Sequence, residues 1–508
     1  MYSLMDFTGA LLFNGMPCLY TFESAPQAFE VMSIPLGYAY ASLDEEINML
    51  NALAENPDLN SNAFPQWVQD SKELAPELVE SYKRVRKKPY GIGEALFDRL
   101  RSYGNEGASW AEYLSDLLVQ NWSELWIGDQ IPETVEHSRR HSKRLMEFAS
   151  NLFRCAESQL ERLGFNKDHP ELLALLIASI YLHDIGHTAL SFPFAPERGF
   201  PLGMFPSSVR EIHNLLTGSL LRHEPERYLG DSAQLKGEYR EKSVFLKTFV
   251  PYLAEHHRGY TKLMENDGKA VAKPLVQKVG CLVYGDNVFE NTLEPLEKRL
   301  RMDSSVHCDK EELRLILNAA ALLRIIDGCD VQADRVVSEE HLKARERRTE
   351  DEACFLEAQI KASVDILPKE LHKTLEALKD SSDMNKSMNK RCNQIYNAVF
   401  DILKGLKVRY EDWGVVQQKD LPLFTVLSFA NRIAFKREQF LHFSKHQSVG
   451  FVLPVMDKEE KNLVNVQIYT NDRKDNAILT DIENDINGEY DKVKSVLERE
   501  ICFKAHKV

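Results

Sequence analysis

Three side chains able to bind a metal or exchange protons follow one apolar run of the sequence. Residues 170–182, PELLALLIASIYL, are apolar almost without interruption, and the next five residues include His183, Asp184 and His187. A run that is apolar all round is typical of a helix packed on several sides. The sequence therefore predicts a central helix that carries these three groups into the protein interior.

Two further segments direct a polar residue toward the interior. In HSRRHSKRLMEFASNLFRCAESQL, Leu145, Phe148 and Leu152 recur at helical spacing, and His141 lies one turn before Leu145 on that stripe. In LRLILNAAALLRIIDGCD, the apolar stripe of another helix ends at Asp327. A carboxylate removed from water must be paired or bound to a cation. Since Mg, Mn, Fe, Co, Ni and Zn all accept imidazole and carboxylate ligands, we predict a site for one or two divalent ions. The predicted ligands are His141, His183, Asp184 and Asp327.

The first ligand has two candidates in EHSRRHS, where His137 and His141 stand one helical turn apart. We choose His141, because Leu145 supplies the apolar residue four positions later and the helix continues without a break. His137 would then lie at the helix start, either as a contact to the ligands or substrate or as an exposed side chain. The sequence does not choose between these two roles.

Composition limits the class of protein. The 508 residues exceed what one hydrophobic core usually holds, so two or three domains are expected. The net charge of -14 argues against bulk electrostatic binding of nucleic acid or an anionic membrane. The eight cysteines form no CxxC pair, which is typical of reduced thiols. We find no signal peptide and no apolar run of membrane-spanning length, so a cytoplasmic protein without membrane contact is expected.

The residues above resemble a known family. His141, the pair His183-Asp184 and Asp327 are similar in order and helix placement to the signature of the HD-domain metal-dependent phosphohydrolases. The resemblance implies a helical bundle in which metal-bound water attacks phosphorus. HDIGHTALSF followed by EIHNLLTGSLL is similar to the branch that hydrolyses deoxynucleoside triphosphates to nucleoside and triphosphate. His187 and His213 match active-site histidines of that branch.

Two features favour a different substrate. AEHHRGY, with His256 and His257, is similar to the double-histidine segment of HD phosphodiesterases that open cyclic dinucleotides, where these imidazoles and a histidine like His213 hold a second metal. Val331 stands where the triphosphohydrolase branch usually has a tyrosine that contacts the sugar. His213 is thus a candidate general acid or a candidate ligand of a second ion, and one nitrogen cannot do both.

Three functional hypotheses follow. The first is a deoxynucleoside triphosphate triphosphohydrolase, the second a phosphodiesterase or nuclease acting on cyclic dinucleotides or single-stranded nucleic acid, and the third a catalytically silent nucleotide sensor. We expect a nucleotide substrate and a homo-oligomer, with a nucleotide effector as a further candidate partner and nucleic acid not favoured. The chain, including the segment FKREQFLHFSKHQSVGFVLPV, also resembles a broad group of uncharacterised bacterial HD proteins of anti-phage systems. The arginines predicted to meet substrate phosphates are Arg210, Arg258 and Arg324.

The fold class expected from these patterns is mainly α. Residues 1–130 are predicted to form a mainly helical N-terminal region, 131–345 the HD helical bundle, and 346–508 a C-terminal part with helices and a small α+β module. In that module, GFVLPVMDKEEKNLVNVQIYTND predicts two strands around a charged turn, and the following segment predicts a helix that covers them.

Overall fold

Helices make up most of the part of the chain that the structure describes. The computed structural model describes residues 94–120, 137, 139–188, 206–230, 235, 237–265, 294–306, 308–331, 439, 442–443, 445–470, 476–497 and 499–507. The α-helices are α1 (Glu94–Ser102), α2 (Asn105–Gln120), α3 (Arg139–Cys155), α4 (Glu157–Arg162), α5 (Pro170–Leu182), α6 (Pro206–His223), α7 (Pro225–Leu229), α8 (Glu238–Glu255), α9 (Leu296–Met302), α10 (Lys310–Gly328), α11 (Asn476–Asp491) and α12 (Lys494–Leu497). The strands are β1 (Val449–Met456), β2 (Leu463–Thr470) and β3 (Cys502–Lys507). None of the described helices has the length and apolar composition that a membrane span requires.

Helix α5 lies at the centre of the helical domain, as its apolar sequence predicts. All of its residues except Glu171 are buried. It packs against α2, α3, α8 and α10, so apolar side chains on every face of the helix have a neighbour to pack against. Helices α1 and α2, which lie in the predicted N-terminal region, share this core.

Helices α3 and α10 each bury one stripe against α5. Leu145 and Leu152 on α3 are fully buried, and Leu323 on α10 is fully buried as well. Helix α10 begins at Asp309, whose side chain accepts hydrogen bonds from two backbone N–H groups of the first turn. This cap fixes where the helix starts and therefore which face its later residues present.

A short 3-10 turn, Ile185–Thr188, follows α5 and packs closely on α6. The N–H of Gly186 donates to Thr217 Oγ1 (2.8 Å), and the Thr217 hydroxyl donates to the carbonyl oxygen of His183 (2.8 Å). A Cβ at Gly186 would overlap the carbonyl oxygen of His213. Only glycine permits this approach, which joins the end of α5 to α6.

The C-terminal residues form a three-stranded sheet covered by a helix. Strands β1 and β2 are antiparallel, and α11 packs against the sheet, which confirms the predicted strands and helix. Strand β3 was not predicted; it runs parallel to β2, with Leu463 opposite Cys502. The unit packs on the helical domain through β1 against α3 and through α11 and α12 against α10.

Several predictions fall outside the described residues. These are the structure of residues 1–93 and the helices expected between residues 346 and 438. The two boundaries between the three predicted domains therefore stay predictions. The mainly helical fold with a small C-terminal sheet is confirmed.

Candidate metal centre

Three helix ends bring the predicted ligands together. His141 lies in the first turn of α3, His183 is the C-cap of α5 with Asp184 directly after it, and Asp327 lies in the last turn of α10. His141 and His183 are at most 1% exposed, and Asp184 is 7% exposed. The side chain of Asp327 is 26% exposed, so the cluster has one side open to solvent.

Four atoms form what we call the first donor group: Nε2 of His141, Nε2 of His183, Oδ2 of Asp184 and Oδ1 of Asp327. His141 Nε2 lies 3.4 Å from His183 Nε2, 3.4 Å from Asp184 Oδ2 and 3.3 Å from Asp327 Oδ1. His183 Nε2 lies 3.4 Å from Asp184 Oδ2 and 3.6 Å from Asp327 Oδ1. Neighbouring ligands of one ion with bonds of about 2.0–2.2 Å are separated by roughly 2.8–3.6 Å, depending on the coordination geometry. These five separations match those of ligands of one divalent ion, and His141, His183 and Asp327 form a group that could hold one.

The other nitrogen of each imidazole is held by an acceptor. His141 Nδ1 donates to Asp330 Oδ2 (2.6 Å), and His183 Nδ1 donates to the carbonyl oxygen of Ile180 (3.0 Å). Because carboxylate and carbonyl oxygens can only accept, Nδ1 carries the proton in both rings. When these imidazoles are neutral, each Nε2 directs a lone pair at the carboxylates of the first donor group, and a proton or a metal ion between them relieves the repulsion.

Asp330 is a site residue that was not predicted from the sequence. Its side chain is 1% exposed, and Arg144 Nε donates to its other oxygen at 2.8 Å. Arg144 thus holds Asp330, and Asp330 fixes the ring and tautomer of His141, the usual arrangement behind a metal-binding histidine. Helix α10 ends at Gly328, so helical periodicity says nothing about the direction of Asp330. No helical pattern in the sequence therefore marked Asp330 as a site residue.

A second donor group lies on the other side of Asp184. It consists of Oδ1 of Asp184, Nε2 of His213 and Nε2 of His257, which are separated by 3.1 Å (Asp184–His213), 3.5 Å (Asp184–His257) and 3.0 Å (His213–His257). His213 Nδ1 donates to the carbonyl of Arg210, and His257 Nδ1 to that of Ala254. The lone pairs of both Nε2 atoms again face each other and a carboxylate oxygen. The two oxygens of Asp184 therefore face different donor groups, which is the geometry of a bridging ligand.

His137 and His187 form a stack beside these groups. The His187 ring is stacked on His213, with centroids 4.2 Å apart, and on His137, with centroids 4.4 Å apart. Both nitrogens of His187 are buried and have no hydrogen-bond partner among the described residues. His137 is 7% exposed and, with Asp184 and His187, forms a further group of potential metal ligands. His137 is therefore buried, which excludes the alternative that it is an exposed side chain. Of His137 and His141, it is His141 that lies in the first donor group.

Electrostatics separate the groups that bear charge from those that are neutral. Burial opposes the ionised forms of Asp184 and Asp327, but the neighbouring histidines outweigh it and hold the pKa of both carboxyls well below the usual range. Burial lowers the pKa of His187, and also of His257 and His213, so these imidazoles are neutral near pH 7 and available as ligands. Burial opposes protonation of His183, but Asp184 and Asp327 outweigh it and raise its pKa well above 6.5, so this imidazole must lose a proton before it binds an ion.

His256 does not join the cluster, contrary to the prediction. It is the C-cap of α8, and its Nδ1 and Nε2 lie 2.8 Å and 3.2 Å from the carbonyl oxygens of Tyr252 and Glu294. Burial and the charge of Arg299 lower its pKa to about 4, so it is neutral. Adjacent side chains at a helix end point in different directions, so only His257 of the pair faces Asp184.

The three predicted arginines differ in position. The positive charges of Arg210 and Arg258 help to lower the pKa of both His187 and His213, so both cations lie within electrostatic range of the second donor group. The Arg324 side chain is fully buried, and its Nη1 donates to the carbonyl of Thr261 (3.1 Å). A guanidinium enclosed in this way is not placed to meet a substrate phosphate, so the prediction for Arg324 is wrong.

Comparison with known proteins agrees with this geometry. Residues 131–353 match the protein-family model described as HD-CE. The match indicates an HD-type domain. Searches of curated proteins and of solved structures gave no match. All members of both donor groups lie inside the HD-type domain, and this cluster is compatible with a metal-dependent hydrolase.

Proposed function

We propose that this chain is a metal-dependent phosphohydrolase that acts on nucleotides. The observation that carries the proposal is the direction of four imidazoles, His141, His183, His213 and His257. Each donates through Nδ1 to an oxygen outside the donor groups and presents Nε2 to Asp184 or Asp327. His256, by contrast, directs both of its nitrogens at backbone carbonyl oxygens and faces neither carboxylate.

His141, His183, Asp184 and Asp327 would hold the ion, and His213 and His257 with Asp184 would hold a second one. Bound there, a divalent ion lowers the pKa of water and polarises a phosphoryl oxygen. Asp184 links the two donor groups, because one of its oxygens faces the first group and the other faces the second. Imidazole and carboxylate ligands suit Mg, Mn, Fe, Co, Ni or Zn.

The remaining side chains supply charge and proton transfer. His187 is buried and neutral and lies against His213, so it is placed to accept a proton or to orient a phosphate through its N–H group. Arg210 and Arg258 provide positive charge beside it. Local cations are needed because the whole chain carries a net charge of -14 and repels polyanions at long range.

We propose dNTPs as the substrate class, hydrolysed to deoxynucleoside and triphosphate. Support comes from the similarity of HDIGHTALSF and EIHNLLTGSLL to that branch of the HD superfamily, and from the stacking of His187 on His213. If His213 is the general acid in this reaction, it is not a metal ligand.

A second candidate is a phosphodiesterase that cleaves cyclic dinucleotides or single-stranded nucleic acid. The observation that favours it is the second donor group, since His213 and His257 meet Asp184 Oδ1 where another ion would bind. Two ions about 3.5–4 Å apart clamp both oxygens of a displacement at phosphorus. The third hypothesis, a silent nucleotide sensor, is weakened by the full set of donors.

One product analysis separates these activities. The purified chain would be incubated with dNTPs, NTPs, cyclic dinucleotides and single-stranded DNA under Mg, Mn and Co, with Asp184→Ala as the inactive control. Inorganic triphosphate supports the first proposal, and linear dinucleotides or oligonucleotide fragments support the second. Binding without turnover under every metal would leave the sensor and end the proposal of catalysis.

We further propose a homo-oligomer that binds a nucleotide effector and takes part in bacterial defence against phage, on the basis of the sequence resemblance. Sedimentation with and without nucleotides tests the assembly. Plaque counts on cells that express the wild type or Asp184→Ala test the defence role. Equal plaque counts for the two strains would contradict the defence role.

A further inference from the structure

The C-terminal unit contacts the HD-type domain directly behind the donor groups. Helix α11 packs against α10, and Glu489 of α11 lies at the point of contact. Two segments meet there. One is the last turn of α10, which carries Asp327; the other is the turn that follows His257, closed by a hydrogen bond from the N–H of Thr261 to the carbonyl of Arg258 (3.0 Å).

Glu489 contacts both segments at glycines. A Cβ at Gly328, the residue after Asp327, would lie 3.2 Å from Glu489 Cγ. A Cβ at Gly259, two residues after His257, would lie 2.6 Å from Glu489 Oε1 and would overlap Lys492 Nζ. The absence of side chains at these two positions lets Glu489 approach the backbone of both segments.

A buried arginine, Arg324, completes the contact between Glu489 and the two segments, which we call the Glu489 joint. Arg324 lies one turn before Asp327 on α10, its Nη1 donates to the carbonyl of Thr261, and its Nη2 lies 3.9 Å from Glu489 Oε2. Glu489 also pairs with Lys492 on its own helix at 2.6 Å. A buried guanidinium is stabilised by a nearby carboxylate, so Glu489 supports the link that Arg324 makes between α10 and the turn after His257.

We propose that Glu489 is a positioning residue that sets the distance between the two donor groups. Asp327 belongs to the first group and His257 to the second, and Asp184 must reach both. The two segments that carry Asp327 and His257 are joined through Arg324 and Glu489. The C-terminal unit is therefore part of the metal centre's support and not only a cover. This inference rests on the proposed metal-dependent function.

Metal binding is the direct readout, because a purely structural role would not move it. The full chain, stripped of metal by chelation, would be titrated with Mn²⁺ by calorimetry. Glu489→Gln keeps the size of the side chain and removes its charge; we expect the Kd for Mn²⁺ to rise about tenfold, as for other residues that orient ligands. The matched control is Glu483→Gln on the same helix, for which we expect a change within about twofold.

A second variant acts on the same joint without removing charge. Gly328→Ala places a methyl group against Glu489 Cγ and should raise the Kd in the same direction. Lower melting temperatures of the metal-free variants with unchanged Kd values would mean a structural role only and would overturn the inference. If the wild type itself binds no Mn²⁺, the proposed function fails and the inference fails with it. If the wild type binds and both variants bind equally well, only the inference fails.

Discussion

Asp330 gives the sharpest test of how the metal centre is held, because it touches a ligand without belonging to a donor group. Its Oδ2 accepts from His141 Nδ1 at 2.6 Å, and its Oδ1 accepts from Arg144 Nε at 2.8 Å. Asn has one acceptor oxygen and one NH2 donor. In Asp330→Asn, either His141 or Arg144 therefore loses its acceptor. His141 is then free to rotate or to carry its proton on Nε2.

The expected magnitude follows from the lost bond. A hydrogen bond to a charged group contributes about 1.5–3 kcal/mol. At 1.4 kcal/mol for each factor of ten, the Kd for a divalent ion should rise about 10- to 100-fold. Asp330 and Arg144 are at most 5% exposed, so bulk water does not replace the bond easily.

Calorimetric titration of the metal-free chain with Mn²⁺, well below the melting temperature, measures this change. The matched control is Asp309→Asn, at the opposite end of α10. Asparagine caps a helix about as well as aspartate, so both stability and metal affinity should stay near the wild-type values. A folded Asp330→Asn chain with wild-type affinity would refute the account of how His141 is oriented.

Four further predictions test other parts of the account. Asp184→Ala should reduce both hydrolysis and Mn²⁺ binding to background, since both donor groups lose an oxygen; retained turnover would speak against the site. His257→Ala should lower the Mn²⁺ stoichiometry from two ions to one per chain if the second donor group binds, and leave it unchanged if one ion binds. Burial opposes protonation of His183, but the adjacent carboxylates raise its pKa well above 6.5, so a proton competes with the ion; apparent Mn²⁺ affinity should rise with pH, and an affinity equal at pH 6 and pH 8 would contradict this. Glu255→Gln should lower the free energy of unfolding by about 3 kcal/mol, because Glu255 is 5% exposed and pairs with two partly solvated arginines, a value that urea denaturation measures.

The stabilisation by Glu255 should also depend on pH. Burial opposes ionisation of Glu255, but its arginine partners outweigh it and lower its pKa in the folded state. The stabilisation is therefore present above the pKa of the unfolded chain and is lost as the pH falls through the lower folded value. The difference between wild type and Glu255→Gln should shrink in acid, and a constant difference down to low pH would contradict the assignment.

Helical periodicity was enough to predict the direction of three side chains of the first donor group. Apolar stripes show which face of α3 and α10 is buried, and they show that α5 is buried all round. A polar residue on such a face must point inward, so the inward direction of His141, His183 and Asp327 follows from the amino-acid sequence alone. The mainly helical fold followed from the same patterns.

Residues beyond helix ends were less predictable. Asp330 lies past the end of α10, and His256 and His257 lie past the end of α8, where no period fixes a direction. Strand β3 was missed because it is short, and because its residues, CFKAHK, mix apolar and charged side chains. It is held in place by pairing with β2. The contact of Glu489 with Arg324 joins two residues far apart in the chain, and no local pattern reports it.

The most direct test of the central claim is the position of bound metal in crystals of the full chain grown with Mn²⁺. The account predicts an anomalous scattering peak about 2.0–2.2 Å from the donor atoms of His141, His183, Asp184 and Asp327. Its loss in His183→Ala crystals would tie the peak to those ligands. Ordered crystals with saturating Mn²⁺ and no peak at this position would contradict the claim that these side chains converge on a divalent ion.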